Sequence, residues 1–178
     1  QAQEHAALLP SRLLPSVALS PLSVAPDEDA EEEYYEHFLM LMQKAAKEGI
    51  LKAQFELAML YKKGELVNQN YEKAFNLFQL AANQYIRGQG ITAEAQYEIG
   101  EMYKKGQGVK QDNNLAYMWL YVSWKTINSN KLEVVRNSLN DTEKLLSNQK
   151  KHNLLERYQD GYDYNWLAWQ LGISEIVY

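Results

Sequence analysis

The chain has no cysteine. A disulfide framework and a thiolate metal site are therefore excluded, while the compartment stays open. Histidine is almost as scarce. His5, His37 and His152 lie far apart, without the spacing of a metal site. No apolar run approaches the roughly 18 residues needed to cross a bilayer, so membrane insertion is not expected. The signatures of catalysis are missing as well: there is no HExxH, no phosphate-binding glycine loop before a lysine and Ser/Thr, and no nucleophile elbow. No catalytic, cofactor-binding or metal-binding residue is assigned, and the chain reads as a non-enzyme. Asn140-Asp141-Thr142 matches a glycan acceptor pattern and is read as a chance match. Proline is absent beyond residue 26, because Pro10, Pro15, Pro21 and Pro26 are the only four.

At 178 residues the chain is long enough to bury a core as one domain. Its formal charge is −5, but seven of the acids fall in the run DEDAEEEYYE at 27–36, and without that run the remainder is +2. No broad basic face is expected, which argues against nucleic acid as a ligand. The chain opens on Gln1 instead of Met, which fits a secreted or periplasmic protein after removal of a signal peptide; the alternative is a cytoplasmic one.

Residues 1–28 form an extended arm. Its prolines recur every five or six residues among Leu, Ser, Ala and Val, a density that forbids a helix interior and favours extended backbone. The arm has two readings: a mobile linker, or an apolar strand that docks on another protein through Leu13 and Leu14. The acidic run then opens a helix from about Ala30 to Glu48, where negative charge suits the helix N-terminus, and Gly49 ends it. Phe38, Leu39, Leu41, Met42, Ala45 and Ala46 give that helix its apolar face.

From Leu51 a pattern repeats with a 42-residue offset, and ten positions are identical across it. In the first copy Ala53, Leu57, Leu60 and Tyr61 share a helical face, Gly64 turns the chain, Asn70 caps a second helix, and Ala74 begins its apolar face. In the second copy Ala95, Ile99, Met102 and Tyr103 form the face, Gly106 and Gly108 make the turn, Asp112 caps, and Ala116 and Trp119 follow. A fixed period of this length with helix–turn–helix content predicts an all-α fold, a short α-solenoid of stacked antiparallel hairpins. The link from Asn83 to Ala93 reads as an extension of the preceding helix followed by a short loop, with Arg87 as a surface or contact residue.

The pattern resembles that of Sel1-like repeats, relatives of the tetratricopeptide repeat found widely in bacteria. The second copy matches at Ala95, Ile99, Gly100, Tyr103, Gly106, Gly108, Val109, Asp112, Ala116 and Trp119, and departs at Ser123 and Trp124, where the family has two alanines. The first copy keeps Ala81 and Ala82 but has Ala58, Leu66, Asn70 and Leu77 in place of Gly, Gly, Asp and Trp. The helix at 29–50 resembles the second half of an earlier repeat, ahead of full repeats at 51–92 and 93–128. The remainder, 129–178, resembles the helical pair that covers the end of the stack. Its helices start near Ser129 or Asn130, with Leu132, Val135 and Leu139 inward, and at Ser147. An aromatic tail follows, in which Trp166 and Trp169 either fold back or anchor a partner.

The resemblance implies a scaffold or adaptor that binds other proteins, as an accessory subunit of a larger bacterial envelope, secretion or motor assembly. The alternatives are a cell-wall-associated enzyme or enzyme modulator, and an effector- or immunity-type inhibitor of one target. The first helices of such hairpins line the concave surface. Their solvent side is expected to hold Glu56, Met59 and Lys63, with equivalents Glu98, Glu101 and Lys105, as a groove of mixed charge for an extended peptide or a helix. No cofactor is implied.

Overall fold

The computed structural model describes residues 28–84, 90–127 and 130–159. Leu13 and Leu14 of the arm, Arg87, and Trp166 and Trp169 of the tail lie outside them. Every element among the described residues is a helix: α1 (Glu28–Lys47), α2 (Leu51–Lys63), α3 (Tyr71–Asn83), α4 (Gly90–Lys105), α5 (Asn113–Thr126), α6 (Leu132–Glu143) and α7 (Asn148–Gln159). Each of α1 to α6 packs on its neighbour in sequence. In addition α2 touches α4, and α4 touches α6. The first helices of the hairpins therefore form one layer and α1, α3 and α5 the other, as expected for an α-solenoid.

The turns follow from local chemistry that repeats at the same offset. Gly64 and Gly106 end α2 and α4 at φ values of 74° and 67°, in the left-handed region where a side chain is disfavoured. Asn70 and Asp112 then cap α3 and α5: Lys73 N–H donates to Asn70 Oδ1 at 2.9 Å, and Asn114 and Leu115 N–H donate to Asp112 Oδ1 at 2.8 and 3.1 Å. A third device, unforeseen in the sequence reading, is that Gln69 Nε2 donates to Lys62 O at 3.0 Å and Gln111 Nε2 to Lys104 O at 2.9 Å. These bonds tie each turn back to the end of its first helix.

The core runs through α2 to α5 and takes in Leu139 of α6. Phe55 and Phe78 meet edge to face at 5.6 Å within the first hairpin, and Phe75 and Tyr103 do so at 5.4 Å between hairpins. Trp119 is fully buried, as its volume-filling place in the pattern predicts, and Phe78 is fully buried in the same core. Ser123, standing where the family has alanine, is accommodated because its hydroxyl donates to Ala93 O at 2.7 Å. Val135 and Leu139 turn inward from α6, as their spacing predicts, and Ser147 accepts from Lys150 N–H at 3.4 Å as α7 begins.

Two expectations need correction. Helix α3 ends at Asn83, with Gln84 outside it, and does not extend into the link. Gln84 Nε2 instead donates to Gln54 Oε1 and to Gly49 O, each at 2.7 Å. Helix α1 covers the expected range, and Gly49 closes it at φ 85°. Its apolar face, however, is only half used. Ala46 is buried against Ala53 and Leu57 of α2, with Met42 and Ala45 alongside, but Phe38 and Leu41 are exposed, as are Tyr34 and Met40. Among the described residues, the apolar surface of α1 is wider than its contact with α2.

Candidate functional site

The residues expected to face a partner sit on α2 and α4, and the structure separates them into two groups. Glu56, Lys63 and Lys105 are exposed. Met59 is half-buried and leans on the main core. Glu98 and Glu101, expected to be exposed on the same strip, are instead buried at 8% and 7% relative exposure. The reason is the neighbouring hairpins. Lys62 of α2 reaches across to Glu98 of α4 in an ion pair. Glu101 of α4 accepts a hydrogen bond from Ser138 of α6 and pairs with Lys105 at 2.7 Å and Lys104 at 3.7 Å. Lys104 also donates to Ser138 Oγ at 3.2 Å, and Lys131 pairs with Glu94.

The inner layer is thus laced from helix to helix by charged struts: Lys62 to Glu98, Glu94 to Lys131, Glu101 to Ser138. The sequence reading missed Lys62, Glu94, Lys131 and Ser138. A signal was present for the first, since Lys62 and Lys104 are identical at the 42-residue offset and each ends up bridging to the next first helix. In the Lys62–Glu98 and Glu101–Ser138 struts one partner is largely withdrawn from water, so they stabilise the stack where an exposed pair such as Lys131–Glu94 contributes little.

The environment of Glu101 bears this out. Burial alone would push its carboxyl up. The hydrogen bonds from Lys105 and Ser138, with the charges of Lys105 and Lys104, outweigh that and hold it below the ordinary value of 4.5. Tyr97, one turn away, moves the opposite way. Burial first, then the negative charges of Glu101 and Glu98, raise its hydroxyl to about 12.

A pH dependence follows. Because the folded-state value of Glu101 is lowered, its contribution to stability is present above the ordinary glutamate range and is lost as pH falls through the lowered value. Glu101→Gln is expected to cost about 1.5–3 kcal/mol at pH 7, the range for hydrogen bonds to a charged group. The gap from wild type should close as the pH drops below 4.5. Urea denaturation at a series of pH values checks this, and an equal penalty at every pH would refute it.

Among the described residues no group of three or more His, Asp or Glu side chains could hold a metal ion. No described helix is long and apolar enough to cross a membrane. What remains exposed on the first helices is Lys52, Glu56 and Lys63 of α2, on the same helix as half-buried Met59, and Lys105 of α4.

The profile of the Sel1 repeat matches residues 51–85 and 93–121. A search of characterised proteins with the sequence gave no match. Among solved structures, a protective antigen of uropathogenic Escherichia coli that displays an SLR fold is similar over 85% of this chain, at 24% identity and a TM-score of 0.57. The chain spans 30% of that antigen's length. A Sel1 repeat protein from Oxalobacter formigenes is similar over 67% of this chain and 98% of its own, at 21% identity and a TM-score of 0.41. Sel1 repeats generally mediate protein–protein interactions. The two matched segments coincide with the α2–α3 and α4–α5 hairpins, so the described residues form a helical solenoid whose two complete hairpins are similar to Sel1 repeats.

Proposed function

We propose that the chain is a non-enzymatic scaffold or adaptor that holds a segment of a partner protein along the first-helix layer of its repeats. The observation that carries this reading is the division of labour on that layer. Glu98 and Glu101 are committed to Lys62 of α2 and Ser138 of α6, which leaves the exposed charges of Lys52, Glu56 and Lys63 beside Met59 on α2. A pre-ordered surface loses less freedom on binding, and mixed charge flanking a methionine suits an extended peptide or a helix. The setting we propose is an accessory subunit of a bacterial envelope assembly, a reading that rests on the repeat type alone.

The test places a photo-crosslinking amino acid at Met59, at Lys105 and, as a control, at Leu80, which is exposed on α3 in the other layer. The expected result is one shared partner captured from Met59 and Lys105 and not from Leu80. The double charge reversal Lys52→Glu with Lys63→Glu, both exposed on α2, should lower its recovery about tenfold, equivalent to about 1.4 kcal/mol. Equal capture from Leu80, or recovery unchanged by the reversal, would remove this surface from the function. A wall-binding protein would be revealed by retention on cell-wall material in place of a protein partner.

A further inference from the structure

Helix α1 occupies the place of a hairpin's second helix, and no described helix stands beside it as the first. Aligning Ala45–Ala46 of α1 with Ala81–Ala82 of α3 places Phe38 at Ala74 and Leu41 at Leu77. One repeat further on, in α5, the same places hold Ala116 and Trp119. Ala74 and Ala116 are 0% exposed and Trp119 is 1% exposed. Leu77 packs on the cluster that holds Ala53 and Leu57 of α2, the first helix of its own hairpin. Phe38 and Leu41, by contrast, are 37% and 49% exposed, and Tyr34, one turn before Phe38, is 55% exposed. Helix α2 covers the neighbouring stripe of α1, through Met42, Ala45 and Ala46, and leaves this one open.

Charge marks the same place from the side of α2. Each first helix ends in a lysine that serves the next one: Lys62 of α2 pairs with Glu98 of α4, and Lys104 of α4 donates to Ser138 of α6. Glu98 therefore faces the first helix that precedes its own. Its counterpart in α2, 42 residues earlier, is Glu56. Glu56 is exposed, and among the described residues no cation pairs with it. The open stripe of α1 and this unanswered carboxylate border one site, the place of a first helix ahead of α2.

We infer that a helix of a partner protein docks in this place and completes the hairpin of α1. The chain's own first helices define the chemistry of that helix. Helices α2 and α4 share a small residue (Ala53, Ala95), a branched aliphatic one turn on (Leu57, Ile99) and a lysine in the last turn (Lys62, Lys104). The first two lie on one helical face and are buried, while the lysine reaches to the following first helix. A docking helix of this pattern lays its aliphatic stripe on Phe38 and Leu41 and carries its lysine to Glu56. Its apolar face supplies contact area, and the single charge pair fixes its register and direction.

A second copy of the chain fits the place less well. Its helices of the required pattern are already committed, because Ala53, Leu57, Ala95 and Ile99 are all buried in the stack. Two copies meeting stripe to stripe would use the apolar side chains of α1 alone. Those offer on the order of a few hundred Å², well below the roughly 800 Å² per partner of a standard interface. A helix seated against both α1 and α2 uses more surface and answers the charge of Glu56 as well.

The test uses the chain's own first helix as the probe. A synthetic peptide of residues 51–63 is held helical by a lactam between its Lys52 and Glu56, and is titrated into the full ¹⁵N-labelled chain. The expected result is saturable change in the NMR signals of residues 34–41 and of Glu56. Lys62→Glu in the peptide, or Glu56→Lys in the chain, should weaken binding about tenfold, and the two together should restore it. Leu41→Asp in the chain, at an exposed position, should abolish binding with circular dichroism unchanged. Absence of saturable binding, or changes centred away from α1, would overturn the inference. So would a charge swap that fails to restore binding. Loss of the same signals on concentrating the chain alone would equally overturn it, since a second copy would then cover the stripe. The inference goes beyond the surface proposed above, whose cross-links from Met59 can fail while the peptide still docks on α1.

Discussion

Replacing Trp119 by alanine is expected to lower the unfolding free energy by about 3–5 kcal/mol, the cost of truncating a large aromatic in a close-packed core. Trp119 is only 1% exposed and lies in the main core with Phe55, Phe78, Ile99 and Leu120. No neighbouring helix can collapse into the space without breaking the hairpin contacts that define the stack. Trp119→Phe should cost distinctly less. The indole Nε1 is buried without a hydrogen-bond partner among the described residues, and an N–H left so is itself unfavourable by about 1–3 kcal/mol. Removing it recovers part of what the smaller ring loses. Urea titration of the three proteins checks the ordering, and a phenylalanine variant as damaged as the alanine variant would show that the indole makes a contact not described here.

The second large effect is expected at Gly108. Gly108→Ala should destabilise the chain by about 2–5 kcal/mol, combining a left-handed backbone cost of about 1–2 kcal/mol with an overpacking cost of about 1–3 kcal/mol. Its φ is 71°, and a Cβ there would sit 2.4 Å from Tyr71 O and 2.8 Å from Glu72 N. Those atoms are backbone at the start of α3, so relief requires the second repeat to shift away from the first. The equivalent position in the first repeat is Leu66, at φ 62°. The backbone conformation is the same, yet a leucine occupies it. The difference isolates the close approach between hairpins as the reason for glycine at 108. Thermal unfolding of Gly108→Ala beside Leu66→Gly separates the two causes: the first should lower the melting temperature sharply, the second should leave it near wild type or raise it.

The architecture was legible in the sequence because it is written in local signals. Glycines at 64 and 106, caps at 70 and 112, and alanines at a fixed offset specify hairpins without knowledge of anything distant. The surface was less legible, and the residues that misled share one property. Glu98 and Glu101 on an isolated α4 would face water. They are buried because α2 brings Lys62 to one side and α6 brings Ser138 to the other. Phe38 and Leu41 failed in the opposite sense, since an apolar stripe predicts burial only when a helix exists to cover it. In a stack of hairpins, exposure belongs to the neighbour as much as to the residue, and a pattern confined to one helix does not contain that neighbour. Ser123 illustrates the same limit at smaller scale: its departure from alanine has no local meaning until Ala93 O is placed beside it.

The lacing of the inner layer has a kinetic consequence. Lys62 and Glu98 are 36 residues apart, and Glu101 and Ser138 are 37 apart. The principal helix contacts join elements adjacent in sequence or one hairpin removed. Loops that must close before contacts form are therefore short and of nearly constant length along the chain. Closure entropy grows only slowly with loop length and is small here at every step, which places the protein among fast-folding topologies of low contact order. Folding can begin in either complete hairpin and spread outward. The struts then form last, as each arriving first helix brings its charge to the one already in place.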